Sequence, residues 1–294
     1  MENINSNKLL VLKEYIYEKD YEDIKQLENL CYEKDNVNVK LELDFRRYFN
    51  RKEREVIENI NEFLYYIDNV LAGYISISCF GGNIAEVTGL VHPEYRRKGI
   101  FKKLCGLALD ECRKRDFSKI LLLTDDKSAS GKEFVKSTGA EYDFSEHGMK
   151  LKEIPDIESN KIIVLRKALN SDAEEIARQN TIYFGDSRSE LIFPEEEEKN
   201  GMTTYLAERE GKVVGKLKIE INEASAFISG VGILPEYRSR GYGKEALKEA
   251  LRIIKEKGIN EAALDVAAGN KNALKLYKGC GFEEEDVMNY YEVK

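Results

Sequence analysis

Arg238, Arg240 and Lys244 put three cationic side chains within seven residues of a chain whose formal net charge is −8, with Ser239, Gly241, Tyr242 and Gly243 between them. Glycine admits positive φ and lets a backbone approach a ligand oxygen closely, while guanidinium and ammonium groups supply charge-assisted donors. If this segment runs from a strand into a helix, its amides converge at the helix N-terminus, where free N–H groups and the helix dipole favour an anion. The chemistry indicated is phosphate binding, and a pyrophosphate suits the span. Further on, Asn270, Ala273, Leu276, Tyr277, Gly281 and Phe282 form a second constellation. Tyr277 offers a phenol of ordinary pKa ~10 as a proton donor. The bland alternatives are a strand-to-helix turn with solvated arginines and a tyrosine that only packs its helix.

The surrounding pattern supplies the elements that would hold both groups. Ile162 to Arg166 alternates as a strand, and Ser171, Asp172, Glu174 and Glu175 read as a capped helix start. Thr203 to Glu208 and Val213 to Ile221 flank Glu210-Gly211, a hairpin signal, and Ala226 to Leu234 is a further apolar strand. Ala246, Leu247, Ala250, Leu251 and Ile254 recur at helical spacing before Gly258. A strand over Ala262 to Val266, a helix over Asn272 to Lys278 and an alternating tail through Tyr290 and Tyr291 complete the order. An α/β fold with a mixed sheet flanked by helices is expected.

The chain also repeats itself. Pro93-Glu94-Tyr95-Arg96 followed by Gly99 recurs as Pro235-Glu236-Tyr237-Arg238 followed by Gly241, and the same ungapped offset carries Gly73 onto Gly215 and Gly139 onto Gly281. The first copy predicts strands over Phe63 to Ile67 and Tyr74 to Ser78 about Asp68-Asn69, a helix over Ile100 to Lys114 and a strand over Ile120 to Leu123. The polar stretch Lys152 to Lys161 reads as a linker, giving an N-terminal domain at 1–155 and a C-terminal domain at 160–294.

Strand, (Gln/Arg)-x-x-Gly-x-(Gly/Ala), helix at residues 226–254 resembles motif A of the GNAT acetyltransferase superfamily, and Val266 through Phe282 resembles its motif B. The resemblance covers roughly residues 160 to 294 well and 8 to 152 more weakly. It implies two tandem GNAT-like domains, each with a mixed, mostly antiparallel central sheet flanked by helices, and acetyl-CoA as cosubstrate with no metal. Backbone groups near Val231 and Ile233 would then pair with pantetheine, and Arg238, Ser239, Arg240, Gly241, Tyr242, Gly243 and Lys244 would hold the pyrophosphate. Asn270 and Ala273 would lie along the pantetheine, and Tyr277 would meet the thioester sulfur as the acid. The implied activity is N-acetyl transfer to a primary amine by direct attack on the thioester.

An amine of pKa ~10.4 must first lose a proton. Strand Ala226 to Leu234 carries no acid, which leaves Glu220 and Glu223 as weak base candidates. In the first copy Ser128, Val135 and Ala140 replace Asn270, Tyr277 and Phe282, and Phe101 replaces Gly243, so that copy reads as degenerate; Glu86, in register with Ile228, keeps an active first copy open. A non-catalytic CoA-binding or sensing module is the alternative. Gly241-Tyr242-Gly243-Lys244-Glu245-Ala246, with Asp265 beyond it, also admits a nucleotide-binding oxidoreductase, although Pro235 to Arg240 separates the first glycine from its strand. The run Glu195 to Glu198 reads as a solvated helix face. Cys280 reads as packing.

Composition narrows the partners. The chain of 294 residues is 42% hydrophobic and 34% charged, with no apolar run near the ~18 residues of a membrane span. Met1 to Lys13 lacks the features of a secretory signal, so a cytoplasmic protein with no membrane partner is expected. Five cysteines without a Cys-x-x-Cys pair argue against a disulfide framework and a zinc site. The negative charge disfavours nucleic acid. The remaining partner is a small-molecule or peptide amine, with the chain a monomer or homodimer.

Overall fold

The computed structural model describes residues 6–49, 57–79, 83–158, 162–184, 191–221 and 225–294. Two compact units divide the chain, one formed by residues 1–145 and 286–294 and the other by 146–285.

In chain order the elements are β1 (Lys8–Lys13), α1 (Glu18–Asp35), α2 (Leu43–Phe49), β2 (Glu62–Ile67), β3 (Val70–Ser78), β4 (Ile84–Val91), α3 (Ile100–Lys114), β5 (Lys119–Asp125), α4 (Ala129–Thr138) and β6 (Glu141–Leu151). There follow β7 (Val164–Lys167), α5 (Ala173–Phe184), α6 (Pro194–Glu198), β8 (Met202–Arg209), β9 (Lys212–Ile221), β10 (Ala226–Ile233), α7 (Tyr242–Glu256), β11 (Ala262–Ala267), α8 (Lys271–Lys278) and β12 (Glu283–Glu292). A 3-10 turn, Pro93–Tyr95 or Pro235–Tyr237, leads into α3 and α7 respectively.

Each unit is an α/β sandwich on a mixed, mostly antiparallel sheet. In the first, β1 to β4 pair antiparallel in sequence order, β4 meets β5 in parallel, and β5 pairs antiparallel with β12. In the second, β7 to β10 repeat the antiparallel run, β10 meets β11 in parallel, and β11 pairs antiparallel with residues 146–151 of β6. The closing strand of each unit is thus contributed by the other sequence copy. This differs from the linear boundary at 155 and 160, because the tails 141–151 and 283–292 carry similar alternating patterns and local sequence does not specify which β-edge each one joins.

The helical spacing of α7 buries Ala246, Leu247, Ala250, Leu251 and Ile254, and the offset residues Leu104, Cys105, Ala108, Leu109 and Cys112 are buried on α3. These stripes pack on separate cores, one per unit, so the repeat is a repeat of packing. The hairpins close as read: Asp68 and Asn69 have φ of 48° and 66°, and Glu210 and Gly211 have 51° and 74°, the pair of positive values that a two-residue turn between twisted strands requires. Cys31, Cys105, Cys112 and Cys280 are free thiols. Among the described residues no helix is long and apolar enough to cross a membrane.

Candidate active site

The second unit's site is organised by an interruption in β10. Its register against β9 runs from Ala226 opposite Ile221 to Ser229 opposite Lys218, then resumes with Gly232 opposite Lys216. Gly230 and Val231 fall in the bulge, and Gly230 takes φ +59°, a left-handed conformation that costs glycine little. On its other edge β10 pairs with β11 only through Ala226 and Phe227. From Ile228 onward the parallel strands no longer pair, so the edge of residues 229–233 that faces away from β9 has no strand partner. These residues are half-buried, as the wall of a cleft would be.

At the end of that strand the loop folds into a cradle lined by backbone amides. Ser239 and Gly241 have φ of +61° and +81°, and α7 begins at Tyr242 with no side-chain cap. The N–H groups of Lys244 and Glu245 both donate to Gly241 C=O at 3.1 and 3.2 Å. Among the described residues the N–H groups of 239–243 donate to no backbone carbonyl, leaving first-turn donors of the kind that bind anions. Ser239, Arg240 and Lys244 are exposed around it.

Two predicted contacts have structural duties. Arg238 Nε donates to Ile233 C=O at 2.9 Å, and its counterpart Arg96 Nε donates to Val91 C=O at 3.0 Å, so this arginine ties the loop to the strand end in both copies. The Tyr242 side chain turns into the core, and its hydroxyl meets Arg209 Nη1 at 2.5 Å; only its amide faces the cradle. Asn270 Oδ1 accepts from Ala273 N–H at 3.1 Å and caps α8. Ser128 makes the same cap in the first unit, from Gly131 N–H at 3.1 Å. The Asn-x-x-Ala spacing is therefore an N-cap, a signal present in the sequence.

Tyr277 is 6% exposed, with its ring edge-on to Phe282 at 6.2 Å. Burial pushes its phenol up to about 12, so it stays protonated across the physiological range. Glu220 lies on β9 opposite Phe227 and Met202, and Glu223 falls outside the described residues. Cys280 is partly buried, and that burial raises its thiol pKa, the reverse of an activated nucleophile. The acidic run is exposed at Glu195 and Glu196 as read, and it is also paired: Glu196, Glu197 and Glu198 with Lys199, Lys218 and Lys167, while Glu195 accepts from Asn170 N–H.

The first unit keeps the loop, but its strand end is more deeply buried, at Thr88, Leu90 and Val91. Arg97 and Gly99 repeat the positive φ values at 61° and 79°. However, β4 runs against β3 without a bulge and pairs with β5 through four residues, Ile84 to Val87. Asn38 N–H donates to Asp125 Oδ2 at 2.8 Å, fastening the segment after α1 across the end of β5. Glu86 is half-buried within this paired stretch.

The Acetyltransferase (GNAT) family model matches residues 21–139 and 170–282. Both copies carry it, and the chain belongs to the GNAT family. The chain is 39% identical over 83 residues to Uncharacterized N-acetyltransferase YycN of Bacillus subtilis, which covers 27% of this chain and 53%, about half, of that relative. It is 24% identical over 152 residues to an N-alpha-acetyltransferase of Sulfurisphaera tokodaii, covering 47% of this chain and 91% of that one. A tandem GNAT protein from the clavulanic acid biosynthesis pathway superposes with a TM-score of 0.71 at 16% identity, covering 97% of this chain and 98% of that one, a likeness of fold.

Proposed function

We propose that the second unit binds acetyl-CoA and transfers its acetyl group to a primary amine by direct attack on the thioester. The observation that carries this reading is the continuity of bulge, open strand edge and amide cradle. Val231 and Ile233 supply backbone partners along β10, and the free N–H groups of 239–243 lie at its end, beside Arg240 and Lys244. An extended, amide-bearing chain ending in a pyrophosphate matches that order. A β-carbon on Gly243 would find Leu276 and Ile233 at 3.5 and 3.6 Å, so the glycine leaves room where the cleft meets the helix.

The protons balance as follows. An alkylammonium gives up one proton to solvent to become a nucleophile; attack on the carbonyl makes the new C–N bond, and collapse breaks the C–S bond. The nitrogen loses its second proton, and one proton goes to the departing thiolate. Tyr277 stands on α8 as a protonated phenol, suited to donate a hydrogen bond to that sulfur. With its pKa near 12, full transfer to a thiolate of ordinary basicity is uphill, so its contribution is stabilisation of developing negative charge. Asn270 and Ala273 act by setting the start of α8, which orients Tyr277 one turn and a half further on.

Free thiol release from acetyl-CoA across a panel of primary amines tests the proposal. Amine-dependent release supports it. Tight acetyl-CoA binding with no release for any amine would favour a non-catalytic CoA-binding module.

A further inference from the structure

Lys216 is a lysine whose side chain is buried and whose ammonium pairs with no carboxylate among the described residues. It lies on β9, 6% exposed, on the sheet face covered by α5, with Leu206 and Gly232 as its cross-strand neighbours. Its Nζ stands 5.8 Å from the ring centroids of both Tyr183 and Phe184. A β-carbon on Gly230 would be 3.3 Å from it. The ammonium therefore abuts the bulge of β10. Among the described residues it has no hydrogen bond or ion pair. Glu197, the one acid acting on it electrostatically, is engaged by Lys218 Nζ at 2.6 Å and Thr204 Oγ1 at 3.4 Å, and Lys218 repels it. Tyr183, whose hydroxyl donates to Gln179 Oε1 at 2.8 Å, is the titratable group facing it from α5. Buried charges are ordinarily paired.

The first unit shows what a completed version of this position contains. By the repeat offset Lys216 corresponds to Tyr74 and Thr204 to Glu62. There Tyr74 hydroxyl donates to Glu62 Oε2 at 2.5 Å, and Arg46 Nη1 donates to Glu62 Oε1 at 2.7 Å, all three residues being buried. A carboxylate sits between a cation and a hydroxyl. In the second unit Lys216 stands in place of the Tyr74 hydroxyl and Thr204 in place of Glu62, so among the described residues a cation faces this position with no carboxylate bonded to it.

We infer that the acceptor of the second unit is an amino carboxylic acid, its carboxylate lying against Lys216 and its amine directed to the β10 bulge. This rests on the acetyl-transfer reading above. The same carboxylate would relieve the cost of burying Lys216, whose pKa is depressed to about 8 chiefly by desolvation. Tyr183 and Phe184 flank the ammonium with their ring faces.

The test uses the full-length protein with acetyl-CoA and two acceptor pools, the twenty common amino acids and their carboxamides, read by thiol release. Wild type is expected to favour the free acids at least tenfold in kcat/KM. Lys216→Met should reduce that preference to about twofold or less by raising KM for the acids rather than lowering kcat, and Lys216→Arg should restore part of it. Calorimetry with acetyl-CoA accompanies each variant. Equal use of the carboxamides by wild type, or an unchanged preference in Lys216→Met, overturns the inference. Acetyl-CoA binding with thiol release only for amines lacking a carboxylate overturns it and leaves the transferase reading standing. Absence of acetyl-CoA binding overturns both.

Discussion

Phe101 and Phe134 meet edge to face, ring centroids 4.6 Å apart, on the positions that Gly243 and Leu276 occupy in the second unit. In one copy the helix N-terminus and the α4 stripe are joined by two aromatic rings; in the other the corresponding space is bounded by a glycine and a leucine 3.5 Å from where its β-carbon would be. Two copies of one fold thus differ in whether the place beside the cradle is filled by side chains. Phe101→Ala should destabilise the first unit by about 2 kcal/mol in urea unfolding, below the cost of a fully buried phenylalanine because the ring is only partly buried. Affinity for acetyl-CoA should stay within about twofold.

The Arg46–Glu62–Tyr74 network is structural in the first unit. Arg46 also donates from Nε to Leu41 C=O at 2.8 Å, so Glu62→Gln leaves a fully placed guanidinium without its carboxylate. Removing one partner of a buried pair costs about 3 kcal/mol or more. The expected result is a urea transition of the first unit shifted by that amount. A loss below about 1 kcal/mol would mean the pair is not desolvated as found.

Tyr277→Phe should lower kcat by about a hundredfold, the usual scale for losing a hydrogen-bond donor to developing negative charge, with KM for acetyl-CoA nearly unchanged. Burial has raised the phenol to about 12, so wild type should show no alkaline loss of rate from this group below about pH 11. Among the described residues the Tyr277 hydroxyl has no hydrogen-bond partner and its oxygen is not sealed from solvent, so stability should change little. Stopped thiol-release kinetics over pH 6 to 10 check the first two points.

Lys216 ties stability to pH. Its folded pKa, about 8, lies below the ordinary 10.5 of the unfolded chain. The unfolded state therefore binds more protons between those values, and the second unit gains stability as pH rises through that window. Below pH 8 both states are protonated and the full burial penalty is felt. Lys216→Met should accordingly stabilise the second unit at pH 7, by about 3 kcal/mol on the linkage relation, and the advantage should shrink by pH 9.5. Urea unfolding at the two pH values measures it.

Much of this was legible in the sequence. The stripe through Ala246 and Ile254, the turn at Glu210-Gly211 and the 142-residue offset all rest on local periodicity and turn chemistry, which act within a few residues. The exchange of closing strands was not, because pairing is non-local and residues 283–292 alternate as well as 141–151 do. Lys216 was also missed: in Lys216-Leu217-Lys218 the alternation reads as two outward lysines around one buried leucine, and only the covering helix α5 makes one of them buried. The repeat held a clue, since Lys216 aligns with Tyr74 while Lys218 aligns with Ser76. The bulge at Gly230 left no signature beyond glycines at 230 and 232. The acidic run at 195–198 could be placed on a helix, but its pairing with Lys167 and Lys218 depends on strands distant in sequence.

Calorimetric titration of acetyl-CoA into wild type, Gly241→Glu and Gly99→Glu tests the central claim most directly. Both glycines hold φ near +80° with open space around them, so each substitution adds a similar backbone strain and a carboxylate beside a cradle of the same shape. One site per chain in wild type, lost in Gly241→Glu and retained in Gly99→Glu, is the predicted result. Two equivalent sites, or binding that survives Gly241→Glu, would contradict it.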